Sequence, residues 1–222
     1  MREIILDTET TGLSPAQGHR IIEIGCIEVF NRKPTGKTFH HYINPQRDVP
    51  EKSTEITGLT EAFLKQFPPF TTIVDGFLDF IANDPLVIHN AAFDMSFLNA
   101  ELEWAKKPLL PRTRAIDTLI MARKKFPGSP ASLDALCKRF EIDLSKRDKH
   151  GALLDAELLC HVYVELLGGR QKSFSFDLAA SAKVIKNNVI DFPKRTFTVP
   201  DEEDQLHKEF VATIKNQMWF KN

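Results

Sequence analysis

Leu6-Asp7-Thr8-Glu9-Thr10-Thr11-Gly12-Leu13 follows the apolar run Ile4-Ile5-Leu6 and reads as the end of a buried strand opening into a polar turn. Asp7 and Glu9 are two positions apart, and on a strand that spacing puts both carboxylates on one face. Two like charges side by side are costly unless something positive lies between them. A divalent cation suits the place, because hard cations prefer carboxylate oxygens. The ordinary alternative is that one carboxylate points to solvent. Asp-x-Glu is common, so the pair decides nothing until the rest of the chain is read for further ligands.

Outward from that stretch, residues 4–6, 21–30 and 38–43 read as three early strands. The second is long and partly alternating, as an antiparallel strand with one polar face would be. Asn31 to Gly36 supplies turn chemistry before the third. After a polar connection, Pro50 opens a short helix over Glu51–Glu55 that stops at Gly58, and Thr60-Glu61-Ala62-Phe63-Leu64 begins another. Phe70, Ile73, Val74, Phe77, Leu78 and Ile81 recur at three and four, the stripe of an amphipathic helix. Leu86-Val87-Ile88 is a short buried strand, and Asn90 stands where a helix N-cap belongs. Further helices run from about Asn90 past Leu102, from Ser132 to Phe140, and from Gly151 to Leu167. Strands first, then strands alternating with helices, predict an α/β domain with a mixed sheet.

Residues 170–200 show no sustained period and read as a flexible linker. Residues 201–218 recover a helical pattern, with Leu206, Phe210, Val211, Ile214 and Met218 on one side and Asp201-Glu202-Glu203 suiting the start of a helix dipole. A lone amphipathic helix beyond a linker cannot bury its apolar face by itself, so it is expected to dock on something else.

Composition sets the limits. A chain of 222 residues with 42% hydrophobic and 27% charged residues is a globular domain plus an appendage. Cys26, Cys137 and Cys160 are odd in number, with no Cys-x-x-Cys pair, which argues against a disulfide framework or a zinc site and for a reducing compartment. Met1-Arg2-Glu3 leads straight into a strand, leaving no room for a signal peptide, and no apolar run reaches the roughly 20 residues of a membrane span. The expectation is a cytoplasmic protein with no membrane partner. The net charge of −1 gives no broad basic field, which excludes little for a protein that grips its ligand through metals.

Two further carboxylates stand where charges are costly. Asp94 precedes Phe97, Leu98 and Leu102 by three, four and eight, on the apolar face of its helix. Asp155 repeats the arrangement ahead of Leu158, Leu159 and Val162. Charge on a core-facing stripe costs several kcal/mol unless it is paired or ligated. With the Asp7/Glu9 pair, an acidic metal cluster accounts for all four. His150 stands just before the helix of Asp155, and an imidazole with an unperturbed pKa of about 6.5 suits proton abstraction from water near neutral pH. The ordinary alternative for it is a surface histidine at a helix start. That is the reading for His19, His40, His41, His161 and His207, with His89 intermediate.

Leu6-Asp7-Thr8-Glu9-Thr10-Thr11-Gly12, Asn90-Ala91-Ala92-Phe93-Asp94, and His150 followed after four residues by Asp155 resemble the three motifs of the DEDDh group, ribonuclease H-like 3′–5′ exonucleases. Ser132-Leu133-Asp134-Ala135-Leu136-Cys137 and His150 to Ala156 are more narrowly similar to the epsilon proofreading subunits of bacterial DNA polymerase III. The resemblance implies a ribonuclease H-like exonuclease domain over residues 1–169, with a mixed sheet flanked by helices, and a flexible C-terminal tail. It implies two divalent cations, Mg2+ or Mn2+, held by Asp7, Glu9 and Asp155, with Asp94 completing the site and His150 as general base. Two such ions roughly 4 Å apart clamp the attacking and leaving oxygens of an in-line displacement.

Asp7, Glu9, Thr10 and Asp155 are then also expected at the substrate. Where the family has a glutamate and a histidine near the terminal nucleotide, this chain has Lys52 and Thr57. In the tail, Gln171-Lys172-Ser173-Phe174-Ser175-Phe176 resembles a sliding-clamp motif, with Gln171, Phe174 and Phe176 as hook and anchors. Residues 201–222, which include Trp219, resemble the segment that binds the polymerase catalytic (alpha) subunit. A DNA 3′ end and a small theta-like subunit complete the implied partners. The alternatives are a free-standing repair exonuclease or ribonuclease of the same fold, and a mainly structural tether between clamp and polymerase.

Overall fold

Ile4, Ile5 and Leu6 are fully buried in succession, as in a strand covered on both faces. In the computed structural model, which describes residues 1–145, 149–168 and 198–214, they lie in β1 (Arg2–Thr10). The strand runs past the turn expected after Leu6, because the long β2 (Ile21–Phe30) pairs with all of it. Asp7 therefore lies opposite Gly25 and Glu9 opposite Glu23, with a register shift between Glu9 and Thr10.

β3 (Lys33–Tyr42) returns antiparallel along β2. It starts earlier than the Asn31–Gly36 stretch predicts. The reversal needs only Asn31 and Arg32, both at positive φ (50° and 66°), which match the twist of a two-residue hairpin. On the other side of β1, β4 (Leu86–Ile88) and β5 (Ala115–Asp117) add in parallel, giving the order β3-β2-β1-β4-β5. The sheet is mixed, as expected, and the switch between antiparallel and parallel neighbours falls at β1.

Helices cover both faces. Ile4 and Leu6 join Phe70 and Phe77 of α3 (Phe70–Ile81) and Phe97 and Leu98 of α4 (Ala91–Trp104) in one core. Ile5 and Val29 face Ala156, Leu159 and Tyr163 of α7 (Ala152–Leu166) on the other side. The short helices α1 (Glu51–Thr57) and α2 (Glu61–Leu64) lie in the connection after β3. Leu136 and Cys137 of α6 (Leu133–Arg139) and Ala122 of α5 (Thr118–Lys125) pack with Leu158 and Val162 of α7. Burying an aliphatic or phenyl side chain contributes about 1.5–3 kcal/mol, so α3 and α7 clamp the sheet firmly. Cys26, Cys137 and Cys160 are buried and form no disulfide.

Two expectations change. β2 has no polar face: Glu23 and Glu28 are 3% and 5% exposed. Their charges are met by neighbours instead, Glu23 by His40 Nε2 at 2.7 Å and Glu28 by Arg2 and Thr35. Asn90 occupies the N-cap position of α4 in the left-handed region and its side chain caps nothing. Asp117 does that work, accepting from Ala91 N at 3.1 Å while also capping its own helix α5 at Leu119 N.

The chain divides into two compact units, Met1–Phe174 and Ser175–Asn222. In the second, α8 (Asp201–Thr213) carries four acidic residues in its first turn and presents Leu206 and Phe210 exposed. Gln171, Phe174, Phe176 and Trp219 lie outside the described residues. Among the described residues, no helix is long and apolar enough to cross a membrane.

Candidate active site

β1 alternates its side chains, and the alternation sorts the site. Asp7 and Glu9 follow Ile5 onto the face covered by α7, while Thr8 follows Leu6 onto the face of α3 and α4. Asp155 sits in the first turn of α7, 3% exposed, and Asp94 in the first turn of α4, 2% exposed. Both helices thus bring a carboxylate to the same end of β1. A glycine allows the approach of α7. At Gly25, opposite Asp7, any Cβ would lie well under 3.0 Å from the backbone of Ala152 and Leu153.

Asp94 is anchored by Thr8, whose N–H and hydroxyl both donate to Oδ1, at 3.2 and 2.8 Å. Those bonds favour the carboxylate, yet burial outweighs them and pushes its pKa up to about 7. Asp7 keeps some accessible surface at the strand end, but its carboxyl is enclosed. It is pushed well above the usual carboxylate range, first by burial and then by the charges of Asp94, Glu9, Asp155 and Glu23. Oxygens of Glu9 and Asp155 and a ring nitrogen of His150 lie within 4.8 Å of one another. His150 Nδ1 is 3.3 Å from Asp155 Oδ2, and its side chain is about half exposed.

Hard carboxylate oxygens crowded at one strand end, those of Asp7 and Asp94 pushed above the normal range first by burial, fit divalent cations. The fit has a thermal consequence. Asp94 titrates near 7 in the fold against an ordinary 3.8, so within that window the folded protein holds a proton that the unfolded chain has lost. Stability from this group is accordingly greatest at low pH and falls as pH rises towards 7. A cation bound there would replace the proton, so a divalent cation is expected to raise Tm more at about pH 8 than at about pH 5.5. Saturation at a thousand times Kd adds about 4 kcal/mol, on the order of 10 °C for a chain of this size. Melting curves with cation and with EDTA at both pH values check it; equal shifts at both would contradict the coupling.

Beside the carboxylates, Glu9, Thr10, Gly12, Leu13, His19, Lys52, Ser53, Ile56 and Thr57 line a groove of about 330 Å³, within the range of small-ligand sites. Lys52 is exposed, whereas Thr57 is 7% exposed. The Thr57 hydroxyl is engaged, donating to Ser53 O at 2.9 Å and accepting from Leu59 N at 3.1 Å.

Several neighbours escape a reading by sequence. His19, grouped there with surface histidines, packs its ring against Gly12 and lies 3.1 Å from Thr11 Oγ1. Glu23 is a fifth carboxylate beside Glu9 and Asp7, hidden in an alternating strand. Arg20 makes a bidentate pair with the buried Glu101 at 2.8 and 2.7 Å, pinning the groove-lining loop to α4. Only Gly12, following a strand and close to a histidine in sequence, offered any signal.

The sequence profile described as Exonuclease matches residues 4–163. The chain is 52% identical over 222 residues to DNA polymerase III subunit epsilon of Rickettsia felis, covering 96% of this chain and 97% of that protein. Against DNA polymerase III subunit epsilon of Escherichia coli K12 it is 48% identical over 183 residues, 79% of this chain and 74% of that one. Among solved structures, Exonuclease X in complex with 5′ overhanging duplex DNA superposes with a TM-score of 0.59 at 26% identity, covering 74% of this chain and 90% of that one. The nuclease domain of 3′hExo, a DEDDh family member bound to rAMP, shares the fold at a TM-score of 0.65 and 20% identity, over 75% and 91% of the two chains.

Proposed function

This chain belongs to the exonuclease family, among the epsilon subunits of DNA polymerase III, and from that membership we propose that it hydrolyses the last phosphodiester of a DNA 3′ end during replication, removing mispaired nucleotides. It is a 3′–5′ exonuclease. The observation that carries the reading is the convergence of Asp7, Glu9, Asp94 and Asp155 on one end of β1, with His150 beside Asp155.

Asp7, Glu9 and Asp155 would hold two divalent cations, Mg2+ or Mn2+, with Asp94 completing the acidic set. Cations held there would supply Lewis-acid stabilisation of the charge that develops at the phosphodiester. The groove beside Glu9 and Thr10 receives the terminal nucleotide, with Lys52 and Thr57 on its far wall. His150 takes the proton of the attacking water. His150 Nδ1 lies 3.3 Å from Asp155 Oδ2; a proton held on that nitrogen leaves the ring's lone pair on Nε2 to accept the proton of the water. A mispaired end unpairs at lower cost, so errors are preferred without any reading of the base.

Release of mononucleotides from a mismatched primer with Mg2+ or Mn2+ tests the reading. His150→Ala is expected to lower kcat by about 10²–10⁴, the usual contribution of a general base. Unchanged kcat would remove His150 from that role.

The tail supports the finer assignment. Gln171, Phe174 and Phe176 are the segment for a sliding clamp, and α8 through Trp219 is the segment for the polymerase alpha subunit. A theta-like subunit is a further partner of the exonuclease unit, and the assembly works in the bacterial cytoplasm. Removing residues 177–222 is expected to abolish polymerase binding in co-purification while mononucleotide release stays within about threefold. A truncated protein that still binds polymerase would count against this use of the tail.

A further inference from the structure

The last carbonyls of a helix have no partner within it. At the end of α1, Gly58 takes a φ of +79° and returns its N–H to Thr54 O at 2.7 Å. The next two carbonyls are met by a remote segment. Lys149 Nζ, 94 residues beyond Glu55, donates to Glu55 O at 2.6 Å. His150 N–H donates to Ile56 O at 3.2 Å. An ammonium suits this place twice over, as a donor to orphan carbonyls and as a cation at the negative end of the helix dipole.

The same helix holds two other things. Ser53 Oγ donates to Thr10 O at 2.9 Å, tying α1 to the strand end next to Glu9. Lys52, Ser53, Ile56 and Thr57 form one wall of the nucleotide groove. α1 therefore stands between the strand that carries Glu9 and the segment that carries His150. About half of the His150 side chain is exposed, and its Nδ1 lies 3.3 Å from Asp155 Oδ2.

We infer that Lys149 is a positioning residue: by fastening residues 149–150 to the C-terminal carbonyls of α1, it sets His150 against the carboxylates and couples nucleotide seating on α1 to that placement. The inference rests on His150 acting as the base. Any donor long enough to reach the carbonyls serves, so arginine can replace lysine and a neutral isostere cannot.

The test uses the full chain with Lys149→Met and Lys149→Arg. For Lys149→Met, kcat on a single-stranded 3′ end with Mg2+ is expected to fall about 10–100-fold, the cost of a displacement near 1 Å, with KM changed less than about threefold. Amide hydrogen exchange at His150 speeds up, while Tm moves by no more than ~2 °C, as for a surface substitution. Lys149→Arg restores both kcat and amide protection. A loss confined to KM and steeply salt-dependent would overturn the inference and make Lys149 a phosphate contact. Unchanged exchange at His150, or failure of arginine to rescue, would overturn it equally. If instead the wild-type chain released no mononucleotide, the exonuclease reading would fall, and the exchange experiment would still decide the tie.

Discussion

Asp7→Asn is expected to remove exonuclease activity and, in the same protein, to raise the melting temperature measured in EDTA at neutral pH. The Asp7 carboxyl is enclosed, faces the charges of Asp94, Glu9, Asp155 and Glu23, and has no cationic side chain among the causes that shift it. In that setting its ionised form works against the fold. Asparagine keeps the shape and removes the charge, so repulsion is relieved by on the order of 1 kcal/mol, or ~2–4 °C. On the proposed function the same change deletes a cation ligand from the centre of the acidic set. The loss of kcat is expected to exceed the ~10²–10³ typical of losing one electrostatic stabiliser. A primer assay with Mg2+ and a thermal melt in EDTA read the two effects separately. Asp7→Asn melting below the wild type would mean that the carboxylate holds structure together; near-normal turnover would take Asp7 out of the site.

Gly25→Ala is expected to lose both stability and activity, although it adds one methyl group in the middle of a strand. The added Cβ meets backbone atoms of Ala152 and Leu153, which cannot rotate away as a side chain would. The first turn of α7 must lift, and overpacking of this kind costs about 1–3 kcal/mol. That turn carries Asp155 and follows His150 and Gly151 directly, so the displacement falls on the groups proposed to act in the reaction. A shift near 1 Å is worth about 10² in rate. Denaturation curves and single-turnover hydrolysis measure the pair of effects. Full activity together with a lowered Tm would show that Asp155 does not depend on how closely α7 approaches β2.

Both predictions concern residues whose importance is unequally visible along the chain. Asp94 and Asp155 are conspicuous because helical periodicity puts each on an apolar stripe, and the buried first turns of α4 and α7 follow from that local pattern. Glu23 is misread for the same kind of reason. Alternation with Ile22 and Ile24 marks a solvent face only when one side of the sheet is open, and α7 together with β3 closes that side here. Asn90 has the right chemistry for a cap, but Asp117 reaches the same N–H from β5 and the Asn90 backbone turns left-handed instead. Thr57 offers a hydroxyl beside the groove, and helix geometry draws that hydroxyl back to Ser53.

Local pattern was enough for the α/β class and the mixed sheet, and for reading Asp7, Glu9, Asp94, Asp155 and His150 as the candidate site residues. Each of those rests on spacing within one helix or strand, or on motifs read in order. Tertiary structure alone decided that Gly25 lies under α7 opposite Asp7, that Glu23 joins the cluster, that His19 backs the groove, and that Lys149 closes the end of α1. Most of these join segments far apart along the chain, 94 residues in the case of Glu55 and Lys149. Periodicity says which face a side chain takes, whereas packing of the whole sheet and its helices decides what that face meets.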